Sequence, residues 1–599
     1  SGGLNMQFAQ NTSAITLNGR NNVGVTVVKN PNNTGFDKTA YKVKVPVGGL
    51  LASRSDEANR SGILNTGTID ILGDDSAGVS ILNTIQEVKV DGNINIGVGD
   101  PTTLTGDGAS STLANRTSGG IAGKVEGSVG VYTEEMTRPV RAKVYKYTAD
   151  GKQEFEADGV TPKVVEAYYD DHGRVNDTHT TTTYTETDAH GNIVNKLKYT
   201  GVTIGTETVE VSKIVTLGPN SASSFGLRNK ASGSITLVNG GKVVVQGEKN
   251  YGALSNGSAY QRQVKKAADA YYTGVQEIAK IDINQGATIE VTGKQSIGYA
   301  MLSGEGTNSG TIEVTGNNSP TAAGSANYEG SLGFYGENGK FTNKGIIDTK
   351  GILAHSVVVK NAGMIFEHEG TIQVDSPTAA KGNIAVYSDG NAIVNFRNNS
   401  NIFVKANSVG IYSADKDKFN TTFKNHGNLN IKIGADSTFA YLDGSATTTL
   451  KEFFNLNPAK VTIVENMGAN SSLVYANNQA KALLDADYTI DKGNANASTI
   501  ALLATNQSSV TVDSRKTLTT NTQVALAAVN GTTTAGNGST AENKGAIVSN
   551  RTNNGIGIYA KEVGSKATND GTITMMGKEA AGMYGEDITT FENKAGKSI

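Results

Sequence analysis

The chain has 599 residues, a formal net charge of −3 and no cysteine. Its charges are mixed in sign, so nucleic acid and acidic lipid are not expected partners. The lack of cysteine excludes disulfides, thiol catalysis and thiolate metal sites, and no run of about 18 apolar residues occurs that could form a membrane-spanning helix. The 72 glycines and only 9 prolines are typical of short strands joined by sharp corners, since glycine tolerates tight turns and proline breaks a central strand.

One phrase returns seven times: Asn, any residue, Gly, alternating β-branched residues, a second Gly and often a closing Gly-aromatic pair. Between residues 543 and 593 the copies follow each other at periods of 26 and then 24 residues. A fixed period in this range indicates a stack of repeated structural units. The clearest copies begin at Asn65, Asn308 and Asn569, and looser ones at Asn343, Asn361, Asn425 and Asn543.

Each copy predicts one coil of a solenoid. Its apolar residues lie two apart, so one face of a short strand is buried and the other is solvated. One coil cannot bury that face alone, but coils stacked about 4.8 Å apart can, and their asparagines can form an amide ladder along one corner. The sequence therefore predicts an all-β fold, a right-handed parallel β-helix. Neither strands alternating with amphipathic helices nor the hairpins of a sandwich fit this repeat.

Interruptions of the repeat divide the chain into five segments. Coils are predicted for residues 1–132, 217–257 and 281–599, a β-hairpin insertion for residues 133–216, and a short helical insertion for residues 258–280. Insertions that leave a solenoid at one level are frequent places for recognition. Decoration of the solenoid without a ligand is the alternative.

The helical predictions follow from good helix formers with apolar residues three to four apart. Ser258 is a candidate N-cap for the helix of the second insertion. Shorter helices are predicted at residues 449–455 and 477–485.

The insertion at residues 133–216 carries the candidate binding surface. Residues 140–156 predict two strands around a turn at Asp150, and further turns are predicted at residues 170–174 and 188–192. Tyrosine and arginine are favoured anchors of binding surfaces, although pairing of the tyrosines across strands would explain them equally well. The candidate binding residues are Arg138, Arg141, Tyr145, Tyr147, Tyr168, Tyr169, Asp170, Asp171 and Arg174.

No catalytic site is predicted. Gly73, Asp74 and Asp75 resemble the G-D-D of pectin-hydrolysing β-helices, in which paired carboxylates cleave a glycosidic bond. The G-H-G, N-T-D and R-x-K elements of such a site do not follow in order, and the three residues occupy a corner of the repeat. No G-D-S-G or G-x-S-x-G string for a nucleophilic serine occurs.

No metal and no cofactor are predicted either. Histidines and aspartates of the first insertion could in principle form a metal site, but none has the spacing typical of zinc ligands, and solvated turns explain them better. These residues are His172, His179, His190, Asp170, Asp171 and Asp188.

Tyrosines close several copies of the repeat and could stack on sugar rings. Recurrence at one repeat position favours stacking in the core, and that is our prediction for them. They are Tyr299, Tyr387, Tyr412, Tyr559 and Tyr584.

The unit N-x-G-x-I-x-V-x-G-x-x-[SA]-x-G-φ-Y resembles the passenger repeats of Gram-negative type V (type Va) autotransporters. It is most similar to the very large fusobacterial adhesins of that class, RadD-like proteins among them. The copies at Asn308, Asn543 and Asn569 carry the likeness most clearly, and copies extend from about residue 65 to the last residues. The insertion at residues 133–216 has no motif that matches the family.

This resemblance implies export, passage through an outer-membrane β-barrel, and display on the cell surface. Family members bind other bacteria, as in coaggregation, or host cells, through surface proteins or glycans. Because Ser1 follows no signal peptide and the last residues lie inside a repeat, we expect an excised piece of a passenger whose C-terminal barrel anchor lies outside it. The expected function is a non-enzymatic surface adhesin segment. The alternatives are a polysaccharide-acting β-helix enzyme and a passive stalk that spaces a distal binding head.

Overall fold

Two units of stacked parallel strands make up the protein, an N-terminal unit (Ser1–Thr288 with Leu302–Gly306) and a C-terminal unit (Ile289–Met301 with Thr307–Ile599). The predicted parallel β-helix solenoid is confirmed in both. Among the described residues, no helix is long and apolar enough to cross a membrane. The computed structural model describes residues 7–28, 61–82, 87–100, 112, 114, 122–134, 140–145, 155, 157, 164–169, 180–187, 193–200, 208–230, 234–257, 260–265, 271–277, 279–316, 330–378, 382–454, 460–492, 497–529, 538–587 and 590–599.

In the N-terminal unit, the coils form three parallel sheets, because each strand pairs with the equivalent strand of the next coil. The first sheet contains Gln7–Asn11, Ser61–Asn65, Glu87–Val90, Thr208–Val211, Ser234–Leu237 and Lys280–Ile283. The second contains Ile15–Leu17, Ile69–Ile71, Ile94–Ile96, Ile214–Leu217 and Lys242–Val245. The third contains Val23–Val28, Ala77–Leu82, Val129–Glu134, Phe225–Asn229 and Tyr251–Asn256, and Val125–Glu126 pairs with Ser221–Ala222 at a corner. Thr288–Val291, Ile297–Ser303 and Glu305–Asn308 have residues in both units.

In the C-terminal unit, strands again form three parallel faces. The first face contains Gly339–Asn343, Met364–His368, Ile393–Phe396 and Phe423–Asn425, then Thr447–Thr449, Lys481–Leu484, Ser509–Val512, Thr540–Asn543, Lys566–Asn569 and Thr590–Asn593. The second contains Thr311–Val314, Ile346–Thr349, Thr371–Val374, Ser400–Val404, Leu429–Ile433 and Val461–Ile463, then Tyr488–Ile490, Thr517–Thr520, Ala546–Ser549 and Thr572–Met575. The third contains Leu332–Gly336, His355–Val359, Asn383–Ser388, Ser408–Ser413, Thr438–Asp443, Ser472–Asn477, Ile500–Thr505, Val524–Val529, Ile556–Lys561 and Ala581–Glu586.

Alternating apolar side chains fill the interior of each unit. Ile69 and Ile71 are fully buried on either side of Asp70, as the period of two predicts. In the C-terminal unit, buried phenylalanine rings stack from coil to coil. Phe341 and Phe366 are paired on successive coils with ring centroids 5.9 Å apart, and Phe334 of the adjacent face lies 4.0 Å from Phe341. Stacked apolar coils of this kind supply the burial that a single coil lacks.

The predicted asparagine ladder is present at one corner of the C-terminal unit. The Nδ2 of Asn543 donates to Oδ1 of Asn569 at 2.8 Å, and the Nδ2 of Asn569 donates to Oδ1 of Asn593 at 2.8 Å. The Oδ1 of Asn543 also accepts the backbone N–H of Gly545 at 3.2 Å, and that of Asn569 accepts the N–H of Gly571 at 3.3 Å. The repeat motif N-x-G therefore satisfies buried polar groups of the corner within and between coils.

Replacing Asn543 by alanine is expected to destabilise the protein by about 1–3 kcal/mol, because the buried Oδ1 of Asn569 loses its donor and the N–H of Gly545 loses its acceptor. Urea unfolding followed by circular dichroism measures the change. Asn550→Ala is the matched control, since Asn550 is exposed, and it should change the midpoint little. An equal effect of both substitutions would contradict the role of the ladder.

The two shorter helical predictions have different outcomes. A helix at Leu450–Phe454 confirms the first, and it buries Leu450, Phe453 and Phe454. The second prediction, residues 477–485, is wrong because Lys481–Leu484 is a strand with inward-facing Ala482 and Leu484. The chain turns just before it through Asn478 and Gln479, which have left-handed φ angles of 52° and 71°. A left-handed pair ends any helix at that point.

The helical insertion predicted at residues 258–280 is also wrong. Tyr260–Lys265 and Tyr271–Glu277 form an antiparallel hairpin, with Lys265 paired to Tyr271. Tyrosine, threonine and valine in these stretches favour strands, and Gly274 disfavours a helix interior by about 1 kcal/mol. The second strand also contacts Ile193–Thr200 of the first insertion. Pairing with other segments therefore overrides the local helix preference.

Candidate functional site

The first insertion contains two antiparallel hairpins. Val140–Tyr145 pairs with Val164–Tyr169, and Thr180–Thr187 pairs with Ile193–Thr200. The second pair confirms the hairpin predicted around residues 188–192. The predicted pairing around Asp150 is wrong, because the β-branched and aromatic residues of Val164–Tyr169 form the better partner strand.

The coils resume inside the segment predicted as insertion. Thr208–Val211 pairs with Glu87–Val90 on one side and with Ser234–Leu237 on the other. Ile214–Leu217 lies likewise between coil strands of the second sheet. The insertion is therefore confined to residues 135–207, and residues 208–216 belong to the solenoid.

Several predicted binding residues lie on one hairpin of this insertion. Arg141 pairs directly with Tyr168, Tyr169 with Val140, and Tyr145 with Val164. These tyrosine–valine pairs are aromatic and β-branched pairs of the kind that stabilises a sheet, so cross-strand pairing and a role in binding both stay as predictions for the tyrosines. Predicted residues outside the described part of the chain are Arg138, Tyr147, Asp170, Asp171, Arg174, His172, His179, His190 and Asp188.

The two insertions meet. Strand Tyr260–Lys265 contacts Val164–Tyr169, and strand Tyr271–Glu277 contacts Ile193–Thr200. Segments separated along the chain by two complete coils of the solenoid therefore build one shared structure within the N-terminal unit. The candidate residues Tyr168 and Tyr169 lie on a strand at this junction.

Asp74 and Asp75 are engaged in the structure of their corner. The buried carboxylate of Asp74 accepts the N–H of Glu126 in the next coil at 2.8 Å. Asp75 has a left-handed φ of 51° and forms an ion pair with Arg20 at 3.2 Å. The two carboxylates therefore join neighbouring coils.

In the described part of the chain, no group of three or more acidic or histidine side chains is placed to hold a metal ion.

The predicted core position of the recurrent tyrosines is right for Tyr299 alone, which is fully buried. Tyr387, Tyr412 and Tyr559 lie half-buried on the outer face of the third sheet, and Tyr584 is exposed. The reason is the alternation of the strand, since the apolar residue before each of these tyrosines points inward and the tyrosine itself points outward.

Four tyrosines in register on successive coils form a continuous column. The ring centroids are 5.6 Å apart between Tyr387 and Tyr412, 5.0 Å between Tyr412 and Tyr441, and 5.1 Å between Tyr441 and Tyr475. Adjacent rings meet edge to face, the arrangement that aromatic pairs favour. We call these four residues the tyrosine strip: Tyr387, Tyr412, Tyr441 and Tyr475.

Polar side chains hold the hydroxyl groups of the strip. The Tyr412 hydroxyl donates to Asp443 Oδ2 at 3.4 Å, and the Tyr441 hydroxyl accepts from Asn477 Nδ2 at 2.6 Å. Burial, with the nearby Asp443 carboxylate, raises the pKa of Tyr412 above its usual value, and burial raises the pKa of Tyr441. These phenols therefore stay protonated at physiological pH.

A groove of about 510 Å³ lies at the corner that follows the strip. Asp443 and Asn477 connect the strip to it, because Asp443 Oδ1 accepts from Asn478 Nδ2 at 2.8 Å and Asn477 Oδ1 accepts from Asn506 Nδ2 at 2.6 Å. We call it the corner groove, and it is lined by Lys416, Asp417, Gly444, Ser445, Asn478, Gln479, Asn506 and Gln507.

The sequence contains a signal for this surface that the repeat phrase does not show. Tyr387, Tyr441 and Tyr475 are each followed two residues later by Asp or Asn. Residues two apart on a strand share a face, so a tyrosine and a polar residue lie on the same face on three of the four coils of the strip. Tyr441 and Tyr475 do not belong to a copy of the repeat phrase, because no glycine precedes them.

Residues 368–596 match the model of a family described as the BigA third pectate lyase-like domain. The match covers less than half of the chain and contains the whole tyrosine strip and corner groove. A pectate lyase-like domain agrees with the parallel β-helix found here. No curated protein and no solved structure gives a significant match to the chain.

Proposed function

We propose that this chain is a non-catalytic segment of a surface-displayed adhesin. BigA is an autotransporter-like adhesin, and the similarity over residues 368–596 supports a passenger of that general kind. The repeat phrase supports the finer assignment to type Va autotransporters and to the fusobacterial, RadD-like adhesins. Such a segment is exported to the outer membrane and binds partner bacteria or host cells.

The junction of the two insertions is the observation that carries this proposal. A solenoid that served only as a spacer needs no hairpins, yet here hairpins from two places in the sequence come together. Arg141 and Tyr168 lie directly opposite each other in the hairpin of Val140–Tyr145 and Val164–Tyr169. Arginine and tyrosine are among the residues that contribute most binding energy at interfaces. The coils hold this structure on a rigid scaffold.

The engaged carboxylates favour an adhesin over a polysaccharide-acting enzyme. Asp74 would need a free carboxyl group to act as an acid or base on a glycosidic bond. Instead, its Oδ1 accepts a backbone hydrogen bond from the next coil, which supports a structural role.

Deletion of both insertions tests the proposal. Replacing residues 135–207 and 258–278 by short glycine-serine loops in the surface-displayed protein is expected to lower the number of bound partner cells about tenfold, the scale of losing a cluster of dominant contacts. Bound cells are counted by flow cytometry. A double variant, Arg141→Ala with Tyr168→Ala, should lower binding in the same direction while surface display stays constant.

Unchanged adhesion after both deletions would contradict recognition by the insertions and favour a passive stalk. Release of sugar from a polysaccharide by the purified chain, abolished by Asp74→Asn, would favour the enzyme.

A further inference from the structure

We propose that the tyrosine strip and the corner groove together bind an unbranched, uncharged glycan chain. The inference rests on the proposed function in one respect: a surface-displayed segment meets polysaccharides of other cells. It concerns a different surface from the insertions, because the strip and the groove lie in the C-terminal unit.

The strip has the chemistry of a stacking platform for sugar rings. A pyranose ring presents a flat face of C–H groups, which packs on aromatic rings, and hydroxyl groups at its edge, which need hydrogen bonds. Tyrosine combines an apolar ring with a polar tip. Four such rings follow each other at 5.0–5.6 Å along successive coils, so the platform extends in one direction, as a linear oligosaccharide does.

Three of the four tyrosines of the strip are held by hydrogen bonds before any ligand binds. Asp443 and Asn477 hold the hydroxyl groups of Tyr412 and Tyr441, and Thr505 Oγ1 donates to the Tyr475 hydroxyl at 3.1 Å. Side chains that are already held lose little rotamer freedom on binding, which lowers the entropic cost of association.

The corner groove supplies donors and acceptors beside the rings. The side chains of Lys416, Gln479 and Gln507 are exposed and make no hydrogen bond to the described part of the chain. A primary amide both donates and accepts, which suits hydroxyl groups that do the same. The single cation Lys416 is balanced by Asp417 in the groove lining, so the lining favours an uncharged ligand over a sialylated or sulfated one.

The dimensions favour a glycan over a protein partner. A stable protein interface buries about 800 Å² on each side, around a compact centre of large contacts. Here the aromatic surface is one tyrosine wide along the coils and continues into a polar groove. A thin chain-like ligand fits this shape.

Isothermal titration calorimetry with the purified 599-residue chain tests the site, with chitohexaose and cellohexaose as probes. We expect saturable binding of at least one probe. Tyr441→Ala should weaken it about tenfold, the scale of one dominant aromatic contact. Tyr441→Phe keeps the ring and should stay within about twofold of the wild type.

Tyr559→Ala is the matched control. Tyr559 has the same outward position on the third sheet and packs on Tyr584 at 6.0 Å, away from the groove residues. Its removal should leave the affinity unchanged, and equal thermal unfolding midpoints would show that both alanine variants are folded.

No binding of either probe at millimolar concentration, or binding that survives Tyr441→Ala, would overturn the glycan site. Cell adhesion that persists in that case would leave the adhesin function standing and assign it to another surface. Adhesion lost in Tyr441→Ala without any oligosaccharide binding would indicate a protein partner on the strip and would also overturn the proposal. Failure of the adhesin function would instead appear as the absence of cell binding by the wild-type chain.

Discussion

Lowering the pH from 7 to 4 is expected to destabilise the C-terminal unit by several kcal/mol through two buried histidines. Burial lowers the pKa of His355 and of His368 to about 4. In the unfolded chain each titrates near its usual value of about 6.5. Between these two values the unfolded state binds more protons than the folded state, so the free energy of unfolding falls as the pH falls. Each histidine contributes about 3 kcal/mol to the free energy of unfolding. This contribution is fully present above pH about 6.5 and is lost as the pH falls to about 4.

The hydrogen bonds agree with neutral rings. His355 Nδ1 accepts the N–H of Ile384 at 3.0 Å. His368 Nδ1 lies 3.3 Å from the amide nitrogen of Asn343, and its Nε2 lies 3.0 Å from the carbonyl oxygen of Asn401. A neutral ring protonated at Nε2 satisfies both of these contacts, whereas a second proton on Nδ1 would face a donor. Protonation therefore breaks a hydrogen bond as well as burying a charge.

His368→Asn is the control for this prediction. His368 is paired with Asn343 of the preceding coil and with Phe396 of the following coil. An asparagine at position 368 would therefore extend the asparagine ladder by one coil. Urea unfolding at pH 7, 6, 5 and 4 should show the variant losing about half as much stability as the wild type on acidification. The same loss in both proteins would contradict the assignment to the histidines.

Truncation of the aromatic interior has the second large expected effect. Phe366→Ala should destabilise the C-terminal unit by about 3–5 kcal/mol, because it removes buried surface and leaves a cavity that rigid coils on both sides cannot close. Phe366 is fully buried, with its ring centroid 5.4 Å from that of Phe334 and 5.9 Å from that of Phe341. Urea unfolding followed by circular dichroism measures the change.

Phe591→Ala is the matched substitution at an exposed position. Phe591 is 51% exposed, so the same truncation there should change the free energy of unfolding by less than about 1 kcal/mol. A small effect of Phe366→Ala would show that the solenoid does not depend on its aromatic stack.

The coils could be predicted from the repeat because the residues of a single coil determine its buried face and its corners. Alternating isoleucine and valine define which face is buried, and Asn543 and Asn569 define a corner. Both follow from the sequence of one coil and recur in the next, so the fold and the asparagine ladder were predictable. His368 shows the limit of this reasoning, because its place in the ladder depends on register with Asn343 rather than on the repeat phrase.

The insertions were less predictable because their partners lie far away in sequence. Residues 258–280 have helix-forming composition, yet Tyr271–Glu277 pairs with a neighbouring strand and contacts the first insertion. The prediction that the recurrent tyrosines lie in the core was wrong for another reason. Their repeat position was clear, but whether Tyr412 or the preceding Ile411 faces the interior depends on the phase of the strand. A shift of one residue separates Tyr299 in the core from Tyr412 on the surface.

Binding of the purified chain to intact cells tests the central claim most directly. Fluorescently labelled protein should bind partner bacteria or host cells with a saturable isotherm, and mass spectrometry should find the cell-surface glycans uncleaved after incubation. Saturation with intact glycans is the result that a non-catalytic adhesin segment predicts. Absence of saturable binding to any partner cell, or the appearance of cleaved glycans, would contradict it.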